Sequence, residues 1–165
     1  MEMEIRNLTP ADWEAVRQIY LEGLATAQAT FETEAPTWDA WDARHLPVAR
    51  LVASAAVEIC GWAALSPISA RAVYTGVAEV SVYIGQHFRG QGLGRALLER
   101  LVEASEASGI WTLQASIFPE NEPSIALHKI CGFREVGFRE HIGKLHGRWR
   151  DTVLLERRSR TVGTT

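Results

Sequence analysis

The chain has few of the features that would take it out of the ordinary single-domain class. Only two of its 165 residues are cysteine, Cys60 and Cys131, and neither stands in a CxxC or Cys/His spacing. A disulfide framework and a structural zinc site are thereby excluded as organising devices, and reduced thiols of a cytoplasmic protein are the expectation. No apolar run approaches the roughly 18 residues needed to cross a bilayer. The first residues, MEMEIRNLTP, lack the apolar stretch of a secretory signal. Neither sign of charge dominates: 17 Lys and Arg stand against 20 Asp and Glu, a net of −3, which leaves no global basic field for nucleic acid. There is no internal repeat and no Gly/Ser linker. What is present is enough apolar chain, 47% of residues including six tryptophans, to bury a real core. The expectation is one domain over 1–156, followed by a flexible polar tail over 157–165 (RRSRTVGTT).

Local signals order the chain into strands and helices. A strand over Glu4–Asn7 precedes a helix opened by Thr9, Pro10 and Asp12, whose apolar face carries Trp13, Val16, Ile19 and Tyr20. Thr37–His45 reads as a short helix with Trp38 and Trp41 on one side, ended by Pro47. Strands are expected over Arg50–Ser54, Val57–Leu65 and Val77–Ile84. In the last of these Val80, Val82 and Ile84 share one face, and Glu79, Ser81 and Tyr83 the other. Leu93, Leu97 and Leu101 step by four along a helix stopped by Gly109. Trp111–Ile117 alternates as a half-buried strand. Asn121 can cap a further helix that Gly132 ends, and two strands follow near Phe133–Glu140 and Asp151–Glu156. The sum is an α/β (α+β) domain with a mixed, twisted sheet of six or seven strands flanked by helices.

Between the strand at 77–84 and its following helix lies Arg89-Gly-Gln-Gly-Leu-Gly94. Glycines at 90, 92 and 94 clear side chains from a strand-to-helix turn, so several N–H groups can converge at the positive end of the helix dipole. Such a spot suits a phosphate or pyrophosphate, with Arg89 and Arg95 adding full charges. The dinucleotide fingerprint fails, because its third glycine would fall at Arg95. A Walker A loop fails too, because no Gly-Lys-Ser/Thr follows.

Arg89-x-x-Gly92-x-Gly94 resembles the [Arg/Gln]-x-x-Gly-x-[Gly/Ala] motif of the GNAT superfamily of acetyl-CoA-dependent N-acetyltransferases. Asn121-Glu-Pro-Ser-Ile-Ala-Leu-His-Lys-Ile-Cys-Gly-Phe133 resembles that family's Asn-x-x-Ala-x-x-Leu-Tyr-x-x-x-Gly-Phe segment. Further blocks resemble the phosphinothricin and methionine sulfoximine N-acetyltransferases within it. They are Thr30-Phe-Glu-Thr-Glu34, Trp62 to Tyr74, Val77 to Ile84, Leu127-His128 and His146-Gly-Arg-Trp-Arg-Asp151. The likeness runs over roughly Ile5 to Glu156.

The resemblance implies direct transfer of an acetyl group from acetyl-CoA, with no metal, to the α-amino group of a small amino acid. It implies Glu79 as general base. It also implies a part in proton handling or substrate anchoring for His128, which stands where most of the superfamily has Tyr. The cosubstrate would be held by Val82, Tyr83 and Ile84 along the strand, by Arg89, Gly90, Gln91, Gly92, Leu93, Gly94 and Arg95 at the pyrophosphate, and by Asn121 and Ser124 at the pantetheine arm. One backbone N–H of Val82 or Ile84 would be available to the oxyanion. The acceptor would meet Phe31, Glu32, Arg71, Tyr74, His146 and Trp149. In this scheme Arg71 pairs a substrate carboxylate, and His146 and Trp149 lie in a late loop reaching a partner subunit of a homodimer. Trp38, Trp41 and Trp149 are expected beside the acceptor, and Trp13, Trp62 and Trp111 in the core. Two alternatives stand beside this: another amine acceptor (a different amino acid, a polyamine or a protein N-terminus), and a non-catalytic acyl-CoA-binding module.

Overall fold

Thr9, Pro10 and Asp12 open the first helix in two stages. In the computed structural model, which describes residues 2–165, Pro10–Asp12 is a single 3-10 turn. The α-helix proper, α1, follows at Trp13–Ala25. The Asp12 carboxylate accepts the Thr9 N–H at 2.8 Å and both arms of the Arg6 guanidinium at 2.8 Å each. Arg6 belongs to β1 (Met3–Asn7), so this pair ties the first strand to the first helix. The Arg6 hydrogen bond holds the Asp12 carboxyl below its ordinary range. The Thr37 hydroxyl caps α2 (Trp38–Arg44) by accepting the Ala40 N–H at 3.2 Å.

Six more strands follow: β2 (Leu51–Ala55), β3 (Glu58–Pro67), β4 (Val77–Ile84), β5 (Thr112–Ile117), β6 (Arg134–Leu145) and β7 (Arg148–Arg158). With β1 they form one seven-stranded sheet in the order β1-β2-β3-β4-β5-β7-β6. Two further helices are α3 (Leu93–Ala107) and α4 (Glu122–Ile130). Every neighbouring pair of strands is antiparallel except β4 and β5, which the α3 crossover makes parallel. That parallel pairing lasts three rungs only: Val77↔Thr112, Ala78↔Leu113 and Glu79↔Gln114. Beyond Glu79 the two strands part, and Val80–Ile84 pairs with β3 alone.

The two faces of the sheet are packed with different chemistry. On one, Leu93, Leu97, Leu98 and Leu101 of α3 meet Ala63, Leu65, Ala78 and Val80 in an aliphatic core. On the other, Val16 and Ile19 of α1 meet Trp41, Trp62 and Ala64, with Trp13, Trp38, Tyr20 and Tyr83 against them. The alternation of Trp62, Ala63, Ala64 and Leu65 between these cores is the period-2 pleat of β3. Trp41 is 2% exposed and stacks on His45, so it is a core residue and not a neighbour of the acceptor; Trp38 stacks on it. The reason is tertiary: α2 folds back onto the α1 face of the sheet and turns its tryptophans inward.

The C-terminal third also departs from expectation. Residues 141–150 are not a loop. They are the arms and tip of a long β6–β7 hairpin turned at His146-Gly147, both with positive φ. The tail expected from 157 starts inside β7, which continues through Arg158. Ser159 is buried and donates to the Glu106 carboxylate of α3, and the Thr161 hydroxyl does the same at 2.9 Å. The Arg158 guanidinium donates to the carbonyls of Val162 and Gly163 at 2.9 and 2.6 Å. Among the described residues no helix is long and apolar enough to cross a membrane.

Candidate active site

The glycine loop forms an anion-ready corner. Gly90 and Gly92 hold φ of +74° and +82°, where an L side chain costs about 1–2 kcal/mol. Gly92 is also the N-cap of α3 and offers no side chain to its first turn. The N–H groups there are left for a ligand. A Cβ on Gly94 would come within 3.3 Å of Leu127, so this glycine lets α4 lie close. The resulting cavity, about 230 Å³, is lined by Ile84, Phe88, Arg89, Gly90, Gly92, Leu93, Gly94, Arg95 and Leu127. Gln91 is turned elsewhere, with its amide donating to the His87 carbonyl at 3.3 Å. Arg95 is paired to Glu99 one turn along at 2.8 Å, an exposed and hence weak pair that an anion can compete for.

The parting of β4 from β5 opens the main cavity, of about 350 Å³. Its walls are Glu79–Tyr83 of β4, Ala115–Phe118 at the end of β5, and Asn121, Ser124 and His128 of the α4 turn and helix. The loop Ala29–Glu32 and Thr152 of β7 complete it. Because β4 lacks a partner on this side, its free backbone groups can pair an extended amide chain as another strand would. Asn121 caps and bridges at once. Its carbonyl oxygen accepts the Ser124 N–H at 3.3 Å, and its amide donates to the Gln28 carbonyl at 3.2 Å.

Glu79 stands at the last shared rung, where the strands divide, and the Gln114 amide donates to its Oε1 at 3.1 Å. His128 is 6% exposed, edge-on to Phe133, with Nδ1 2.7 Å from the Ser124 carbonyl. A carbonyl only accepts, so Nδ1 carries the proton of the neutral ring and Nε2 keeps its lone pair. Burial outweighs that hydrogen bond and pushes the ring's pKa down, favouring the neutral form. Tyr83 lines the cavity and stacks on Trp62, with Tyr20 edge-on. Burial raises its phenol far above the ordinary value, so its hydroxyl keeps its proton.

Of the sequence-predicted site residues, the main cavity gathers Glu79, His128, Val82, Tyr83, Asn121, Ser124, Phe31 and Glu32. Arg71, Tyr74, His146 and Trp149 do not line it. Arg71 and Tyr74 are exposed and stack on one another at 5.5 Å, in the connection that leaves β3 just beyond the Ser66↔Glu79 pair. Trp149 is exposed on the hairpin between His141 and Lys144. Sequence reasoning missed Thr30, Ser81, Ser116, Phe118 and Thr152 in the wall, and Gln114 behind Glu79. Gln114 carried a usable signal, a polar residue on the non-core face of a strand. Thr152 carried none, since its place depends on β7 lying beside β5.

Chemically, the arrangement can bind a cationic amine and accept a proton from it. Glu32 and Glu79 are the only charged residues in the wall, and a neutral imidazole adds a second proton acceptor.

Comparison with known proteins places this architecture. The profile of the acetyltransferase (GNAT) family matches residues 12–133. A phosphinothricin N-acetyltransferase of Streptomyces viridochromogenes is 33% identical over 94% of this chain and 87% of its own. An L-methionine sulfoximine/L-methionine sulfone acetyltransferase of Pseudomonas aeruginosa is 35% identical, over 92% of this chain and 77% of its own. The crystal structure of a GNAT superfamily phosphinothricin acetyltransferase from Sinorhizobium meliloti, in complex with acetyl-CoA, superposes with a TM-score of 0.88. It is 30% identical and spans 100% of this chain and 92% of that one. With the family profile over most of its length and relatives at 33–35% identity over more than nine-tenths of it, the chain belongs to the GNAT family and is an acetyl-CoA-dependent acyltransferase.

Proposed function

We propose that this acetyltransferase acylates the α-amino group of a small amino acid of phosphinothricin or methionine sulfoximine type. The observation that carries the reading is the placement of Glu79 at the fork of β4 and β5, in one cavity with a neutral, buried His128. Acetyl-CoA supplies the activated acetyl thioester. The chain's own residues do the rest. An α-amino group with a pKa of about 8 arrives mostly protonated at neutral pH and must lose a proton before it can attack. Glu79 is the general base for that proton, held in place by Gln114. His128 serves as a second acceptor through Nε2, since its neutral form is the favoured one.

Binding roles follow the same geometry. The backbone of Val82 and Ile84 pairs the pantetheine amides, the loop from Arg89 to Arg95 holds the pyrophosphate, and Asn121 and Ser124 flank the arm. Phe31 and Glu32 wall the acceptor. Arg71, with Tyr74 stacked on it, takes the acceptor carboxylate from the connection beyond the Ser66↔Glu79 rung. His146 and Trp149 serve the partner's pocket in a cytoplasmic homodimer. The edge strand β6, which exposes Val136, Phe138 and Ile142, supports such an assembly. The test is kcat/KM across methionine sulfoximine, phosphinothricin and the common amino acids. The first two should lead by about tenfold or more, in keeping with a site built for particular hydrogen-bonding groups. Equal values would overturn the acceptor class. Acetyl-CoA binding with no thiol release for any amine would replace the enzyme by a binding module.

One observation favours a second acceptor. Two carboxylates and no Lys or Arg line the main cavity, which suits an amine without a carboxylate, such as a polyamine or a peptide N-terminus. Including those amines in the same panel separates the two readings.

A further inference from the structure

We infer that Arg150, which lies outside the set assigned above, is a positioning residue that locks the acceptor-side wall onto the cosubstrate side of the cleft. Its side chain is only 14% exposed, and both terminal nitrogens are engaged. Nη1 donates to the Ala27 carbonyl at 2.9 Å. Nη2 donates to the Gln28 Oε1 at 2.9 Å and reaches the Glu120 carboxylate at 3.3 Å. The guanidinium plane lies 3.9 Å from the centre of the Phe118 ring. Phe118 in turn packs edge-on against Phe31 at 4.9 Å. One side chain of β7 therefore holds both ends of the segment that forms the wall. It grips the backbone at Ala27 directly, and the ring of Phe31 through Phe118.

Three details make this more than surface ion pairing. First, the strongest contacts are to a backbone carbonyl and a side-chain amide; the only carboxylate is exposed and the most distant partner. Such an arrangement needs the flat, forked donor of arginine and cannot be met by a point charge. Second, Ala27 holds a φ of +56°, a left-handed conformation that is costly for a residue with a Cβ, and Arg150 binds the carbonyl of that residue. Third, the network continues into the cleft. The Gln28 carbonyl accepts the Asn121 amide, Asn121 caps α4 at Ser124, and the Ser124 carbonyl holds His128. The loop with Thr30, Phe31 and Glu32 and the helix with His128 are thus tied at one point.

This inference rests on the reading of residues 29–32 as the acceptor wall, and its test separates the two. Arg150→Lys and Arg150→Ala are compared with wild type by hydrogen exchange and by steady-state kinetics, with melting temperature as the check on folding. The Lys variant serves if the Ala variant does not fold. Faster exchange confined to residues 26–32 is expected. So is an acceptor KM raised about tenfold, with acetyl-CoA KM changed less than about twofold, since a small displacement of a wall costs that much. Lysine should not rescue either effect. Unchanged exchange in 26–32, equal rises in both KM values, or full rescue by lysine would each overturn the clamp. If wild type acetylates none of the amines offered, the acceptor reading fails, and the exchange result alone decides for or against the clamp.

Discussion

The two halves of the cleft are made from different materials. The half proposed for the cosubstrate is largely backbone: the glycine turn, the uncapped first turn of α3 and the unpaired edge of β4 beyond Glu79. The half proposed for the acceptor is side chains brought from afar, with Phe31 from the loop after α1, Phe118 after β5, His128 from α4 and Thr152 from β7. A backbone site is specified by a few consecutive residues and tolerates change around it. A side-chain site is specified by the whole fold and can be altered one residue at a time. That division suits an enzyme family that keeps one acyl donor while its acceptors vary.

The two halves meet at Glu79. Glu79→Gln keeps the shape of the fork and removes the proton acceptor. Turnover at neutral pH should fall by about 10²–10⁴-fold, the range for a general base. Acetyl-CoA affinity by calorimetry should stay unchanged, because the backbone half is untouched. Turnover near wild type would take Glu79 out of the chemistry. A smaller and complementary effect is expected from Gly92→Ala, which places a Cβ at φ +82°. A strain of about 1–2 kcal/mol should weaken acetyl-CoA roughly 5- to 30-fold and leave the acceptor KM in place. Equal loss on both substrates would mean that the halves are not separable.

The smallest expected effect concerns stability against pH. Burial pushes His128, in the cleft, and His45, against the aromatic core, below the ordinary histidine value. Each then binds a proton more readily in the unfolded chain. Between the unfolded value near 6.5 and the lower folded one, the unfolded state carries the extra proton, so stability declines as pH falls through that window. Urea midpoints at pH 7.5 and 5.5 should show the drop. His45→Gln should reduce it with activity retained, and His128→Gln should reduce it with activity lost. A pH dependence unchanged in both variants would refute the assignment.

Legibility followed the same division. The glycine loop, the strand Val77–Ile84, the Asn121 cap and the leucine face of α3 are local patterns, and the fold realises them nearly residue for residue. The acceptor half was harder. Trp38 and Trp41 are expected beside the acceptor, and the packing of α2 on the α1 face places them instead in and against the core. The two strands of the β6–β7 hairpin are expected near 133–140 and 151–156, but its outer arms and tip over 141–150 hide behind polar residues and a loop-like His-Gly-Arg, because strand exposed along its length shows little hydrophobic alternation. Thr152 and Arg150 enter the site region through a sheet order that no stretch of sequence announces.

The position of β7 carries one more consequence, for how this protein is made. The strand lies between β5 and β6, although it follows both in the chain. Until Arg158 has left the ribosome, β5 has an open edge and Glu106 lacks its Ser159 partner. The β5 side of the sheet must therefore wait for β7, a long-range closure that is slow and exposes an unpaired edge meanwhile. A stop codon in place of Arg148 would take away an inner strand of the sheet, and with it Thr152 from the wall of the cleft.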